Sequence, residues 1–65
     1  MEYEERKTMD RKELSELLEK LRAGVERGAI DFRRNRIELP EQMEVEIEYK
    51  EKHGRKKFEV ELKWA

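Results

Sequence analysis

An α+β fold, one amphipathic helix packed on a four- to five-stranded antiparallel sheet in two layers, is what this sequence predicts. Three observations predict it. Apolar residues recur at helical spacing from Leu14 to Val25, the spacing becomes two residues after Gly28, and short turn-forming stretches separate the later alternating runs.

With 51% charged and 35% hydrophobic residues, the chain has little apolar area to set against conformational entropy. Order is expected nonetheless, because the apolar residues are regularly placed and the charges are of mixed sign, with a formal net of −1. A chain of 65 residues makes one minimal domain, 1–65, that buries only about 60% of its unfolded surface. There is no cysteine, so packing alone must hold the fold, without disulfides or thiolate metal sites. Met1 to Thr8 alternates acids and bases and reads as neither signal peptide nor membrane span, which leads to the expectation of a cytoplasmic protein.

Taken in order, Glu2 to Lys7 has the pattern of an edge strand with Tyr3 turned inward. Asp10 and Glu13 have capping-box spacing, and Met9 and Leu14 occupy the positions of a hydrophobic staple, so a helix starts at Arg11. Leu14, Leu17, Leu18, Leu21 and Val25 form its oily face, and the helix ends near Arg27, where Gly28 supplies the cap. On the other face, Lys12, Glu16 and Lys20, and Arg22 with Glu26, sit at four-residue intervals. Gly24 lies beside the oily stripe and costs about 1 kcal/mol relative to alanine within a helix. Close approach of the sheet is the expected reason.

Beyond Gly28, Ile30 and Phe32 alternate with Asp31 and Arg33, Arg34-Asn35 offers a turn, and Ile37 and Leu39 continue until Pro40 stops pairing. Met43, Val45, Ile47 and Tyr49 then share one side of a strand, and Phe58, Val60, Leu62 and Trp64 one side of the next, joined through His53-Gly54. The expected order is strand, helix, then four consecutive strands. Its expected core is Leu14, Leu17, Leu18, Leu21, Val25, Ile30, Phe32, Ile37, Leu39, Val45, Ile47, Phe58, Val60, Leu62 and Trp64.

This pattern resembles the amphi-Trp domain, a family of short prokaryotic domains with amphipathic strands and a closing tryptophan. The residues that carry the likeness are Glu13-Leu14-Ser15-Glu16-Leu17-Leu18, Gly24-Val25, Leu39-Pro40-Glu41 and the terminal Glu61-Leu62-Lys63-Trp64. Arg22 departs from the small residue usual in the late helix. The resemblance covers nearly the whole chain. It implies the fold and a prokaryotic cytoplasmic setting, and brings no established biochemical activity.

Catalytic machinery is not evident. Ser15 and Thr8 lie in no nucleophilic or phosphate-binding signature, and His53, the one histidine, falls in a charged turn where solvation explains it. No catalytic residue, cofactor, metal or small-molecule substrate is expected, and the chain reads as a non-enzyme. Pairing Tyr49 with Phe58 sets Glu48 against Glu59 and Glu46 against Glu61, and like charges so placed are destabilising. Arg or Lys from a neighbouring strand, such as Arg6, Arg33 or Arg36, is expected to interleave with them on a solvated face. A flat carboxylate face offers Ca²⁺ or Mg²⁺ no cage.

Reversal at each hairpin is expected to bring Arg33, Arg34 and Arg36 to the same end of the sheet as Lys50, Lys52, Arg55, Lys56 and Lys57. This basic pole is a candidate polyanion or nucleic-acid contact, ranked low because no nucleic-acid motif or interleaved aromatic accompanies it. A protein partner or a homodimer ranks first. Thirteen inward apolar residues on strands about 20 Å across face a single helix about 10 to 12 Å wide, leaving oily surface bare.

Overall fold

The computed structural model describes residues 1–65. Its first element is fixed by a complete capping box: the Glu13 amide donates to Asp10 Oδ1 at 2.8 Å and the Asp10 amide donates to Glu13 Oε1 at 3.3 Å. Helix α1 runs Arg11–Arg27 and closes at Gly28, whose φ of 88° is left-handed and whose N–H returns to the Gly24 and Val25 carbonyls. Arg22 clasps both Glu19 and Glu26, at 2.8 and 2.7 Å. Lys12, Glu16 and Lys20, despite their spacing, form no ion pair.

Strand β1, Ala29–Phe32, comes directly after the cap and pairs antiparallel with β2, Asn35–Glu38, in the register Ile30 to Ile37. The turn is Arg33-Arg34, one residue earlier than the sequence suggested, because Asn35 pairs with Phe32 and Arg33 takes the left-handed conformation at φ 58°. Past β2, the Leu39 amide still donates to the Gly28 carbonyl at 2.8 Å, and pairing ends at Pro40. Strands β3, Glu44–Lys52, and β4, Arg55–Lys63, then form a long hairpin. His53 and Gly54 both have positive φ, 51° and 75°, as a two-residue turn of matching twist requires.

The α+β class, the antiparallel pairing and the long hairpin are all present. The single sheet of four to five strands is not. β1 pairs only with β2 and β3 only with β4, giving two separate two-stranded sheets, and α1 packs on β1 while the long hairpin contacts neither. The five-residue stretch from Leu39 to Met43, bent at Glu41 just after Pro40, leads β3 away rather than alongside β2. Nor is Glu2–Lys7 a strand. Its charges pair internally, Arg6 with Glu4 and Lys7 with Glu5, both at 3.1 Å, and Tyr3 alone cannot hold it to the sheet. One long-range bond ties it down, from Arg33 to the Glu4 carbonyl at 2.8 Å.

The consequence for packing is large. Only Gly24 and Ala29 are buried, and of the predicted core Ile30, Phe32, Ile37, Leu39 and Leu62 are half-buried while the other ten residues are exposed. The radius of gyration is 13.6 Å, against about 11 Å for a compact chain of this length.

Gly24 is where α1 and β1 come closest, as its place beside the oily stripe suggested. A methyl group there would sit 2.7 Å from the Ala29 carbonyl oxygen, a backbone atom that cannot step aside. Gly24→Ala is therefore expected to lower stability by about 1 to 2 kcal/mol in urea melts, overpacking outweighing the gain of about 1 kcal/mol in helix propensity.

Candidate functional site

Two surfaces carry chemistry, and both are built by the β3–β4 hairpin. Its register sets Glu44 against Lys63, Val45 against Leu62, Glu46 against Glu61, Ile47 against Val60, Glu48 against Glu59 and Tyr49 against Phe58. Since side chains alternate across a strand, residues two apart share a face. One face therefore holds Val45, Ile47, Tyr49, Phe58, Val60 and Leu62, and the other only charges.

The oily face lies open. Phe58 is 68% and Ile47 65% exposed, more than many charged residues behind them, and Glu48 and Glu59 are half-buried where these apolar neighbours are not. Helix α1 shows the same state on one flank. Leu17 and Leu21 line a groove with Met9, Ile30 and Phe32, whereas Leu18, 55% exposed, and Val25, seven residues on, face outward. Val25 also borders a small concavity with Leu39, Pro40 and Met43, so this flank leads toward the base of the hairpin.

The charged face divides into blocks. Four acids occupy its middle rungs, and at its tip Lys50 opposes Lys57 and Lys52 opposes Arg55. The expected compensation by Arg6, Arg33 or Arg36 does not occur, because the first segment and the β1–β2 ribbon lie apart from this hairpin and Arg6 and Arg36 bond Glu4 and Glu38 instead. The hairpin neutralises its own acids. Lys63 bridges Glu46 and Glu61, each at 3.2 Å, while Lys50 reaches Glu48 at 3.0 Å and Lys57 reaches Glu59 at 2.8 Å. Each acidic rung thus borrows a cation from the next. The register carried this signal, since Lys63 stands diagonal to Glu46 and two residues from Glu61.

The cations of the predicted basic pole fall on two ribbons without a common sheet. Lys50, Lys52, Arg55, Lys56 and Lys57, with His53, surround one shallow concavity at the hairpin tip. Arg33, Arg34 and Arg36 belong to the other ribbon, where Arg33 lies 5.8 Å from the Phe32 ring centre and Arg36 bonds Glu38 at 2.9 Å. Within the tip, Lys52, Arg55 and Lys56 have no carboxylate within ion-pair distance.

Hydrogen bonding to carboxylates shifts these groups as expected for pairs. Glu46, then Glu61, raises the Lys63 pKa, Glu48 raises that of Lys50, and the Lys57 ammonium lowers that of Glu59. A lowered carboxyl pKa contributes stability above its unfolded range and loses it as pH falls through the folded value. The urea midpoint of wild type is therefore expected to exceed that of Lys57→Met by a small, constant margin above about pH 5, and the margin should close toward about pH 3. It should also shrink at about 1 M salt, where screening reaches about 3 Å.

A family model described as the Amphi-Trp domain matches residues 1–65, the whole chain. No curated protein and no solved structure matches it.

Proposed function

The chain belongs to the Amphi-Trp domain family, and from that premise we propose that it is a non-catalytic interaction module that binds protein through the oily face of its long hairpin. One observation carries the reading: Val45, Ile47, Tyr49, Phe58 and Val60 form a contiguous apolar row more than half exposed to water. A patch of this kind on a small domain marks an interface, and an isolated two-stranded hairpin is marginal in water without something to cover it. The same reading puts the module in a prokaryotic cytoplasm, where no disulfide is needed.

A second reading rests on the hairpin tip. Two directly opposed cation pairs, Lys50 with Lys57 and Lys52 with Arg55, repel each other, and a polyanion would relieve that repulsion. It ranks below the first because the acidic rungs draw Lys50 and Lys57 toward carboxylates and the net charge is −1.

Salt and an apolar dye separate the two. Under the leading reading the chain either enhances the fluorescence of an anilinonaphthalene dye or sediments above its 8.0 kDa mass, equally at low and high salt, and Ile47→Lys with Phe58→Lys removes that behaviour. A dye-silent particle of 8.0 kDa would sink it. Heparin binding that weakens steeply with salt and disappears when Lys52→Gln, Arg55→Gln and Lys56→Gln are combined would favour the second.

A further inference from the structure

We propose that the occupant of the oily hairpin face is helix α1 of a second copy of this chain, and that the contact is made twice about a two-fold axis. This deepens the reading above and rests on it.

Surface area is the first support. The chain exposes 6761 Å², while a compact protein of its mass exposes about 4,450 Å². If a pair recovered only half of that excess from each member, it would bury about 2,300 Å² in total, within the roughly 2,000 to 5,000 Å² of permanent homodimers. The surplus is what a stable pair needs.

Shape agrees with area. A two-stranded ribbon is about 10 Å across, and so is a helix with its side chains. Along the axis, the apolar row from Val45 to Tyr49 measures about 14 Å as strand, and the outward flank from Leu18 to Val25 about 10 Å as helix. One helix therefore covers one hairpin, where one helix could not cover a sheet of four or five strands. Neither surface is used by its own chain, since α1 turns one side to β1 and the hairpin touches no other element.

Closure is the third support. Helix and hairpin are two unlike surfaces carried on one chain, and about a two-fold axis each helix-on-hairpin contact is returned by its partner. That closes the pair, where a head-to-tail arrangement would leave one helix and one hairpin bare at its ends. Made reciprocally, the contact leaves neither oily surface open. A foreign helix could cover the hairpin, but it would leave the Leu18 and Val25 flank of α1 bare. The charged face of the hairpin, turned away from the contact, stays in water, where its ion pairs need no desolvation.

Because the chain has no cysteine, introduced thiols report the arrangement without interference. Sedimentation of unaltered protein is expected to give twice the 8.0 kDa chain mass with little change between low and high salt. Four variants pair a helix thiol, Leu18→Cys or Val25→Cys, with a hairpin thiol, Ile47→Cys or Phe58→Cys, all at exposed positions. On mild oxidation at least one is expected to become a covalent dimer under non-reducing conditions, and Phe58→Cys alone is not.

Other results overturn the proposal in distinguishable ways. A monomer that binds the dye strongly excludes the second copy yet leaves the apolar surface for a different protein. A dye-silent monomer whose double-cysteine variants close within one chain shows the hairpin folded on its own helix, and both readings fall. A dimer in which Phe58→Cys links to itself, or in which none of the four variants links, excludes the helix-on-hairpin contact.

Discussion

The contact between Gly24 and the Ala29 carbonyl is the one place where this chain excludes water from both sides of a contact, and the rest of the molecule is arranged from it. A glycine in the last turn lets the backbone of β1 approach the helix directly, so that the strand beginning at Ala29, one residue after the Gly28 cap, can lie against α1. Ala29 is 3% exposed because of that approach. The helix before the contact is held by its caps, and the chain just after it by the short β1–β2 ribbon, which α1 shields on one side. Beyond Pro40 the chain receives no such support.

The ribbon on the far side of Pro40 draws its stability from within. Its backbone pairs through nine rungs, its turn uses two residues of positive φ, and its acids are neutralised by cations one rung away. None of these removes the apolar face from water. Hydrophobic burial contributes roughly 25 cal/mol per Å² only when something covers the surface, and α1 of the same chain lies elsewhere. The disparity between good local pairing and absent burial is the main energetic feature of the protein.

Local features were legible in the sequence because short-range chemistry decides them. Asp10 and Glu13 are three residues apart, within reach of each other's backbone amide; Gly28 and Gly54 supply left-handed geometry where it is needed; and the rungs from Glu44 with Lys63 to Tyr49 with Phe58 are set once His53-Gly54 is taken as the turn. The features that were not legible depended on pairing between ribbons. Strand alternation says which side of a strand is oily and nothing about which neighbour its edge meets, so β2 and β3 fit one sheet by pattern while the stretch through Pro40 separates them. The Arg33-Arg34 turn was displaced by one residue for a related reason: arginine has no marked preference for φ of 58°, whereas Asn35 looked the better turn residue and instead pairs with Phe32. The oily patch itself was anticipated from width, one helix against too many strands, and the ribbon is barer than that difference in width required.

The two surfaces of the hairpin answer to different physics and so can be judged separately. Residues of one parity in β3 place Val45, Ile47 and Tyr49 on the face that needs cover; residues of the other place Glu44, Glu46, Glu48, Lys50 and Lys52 in water. Covering the first face leaves the second untouched, since the pleat puts the two sets on opposite sides. The cations at the tip repel one another at Lys50–Lys57 and Lys52–Arg55, yet the same rungs send Lys50 and Lys57 toward Glu48 and Glu59, which is how four carboxylates can sit together on adjacent rungs. Acidic middle and basic end are therefore one neutralising device, and the tip's positive charge is partly committed before any external anion arrives. Burial, by contrast, has no such internal partner, and for that reason the apolar face is the stronger claim on an external one.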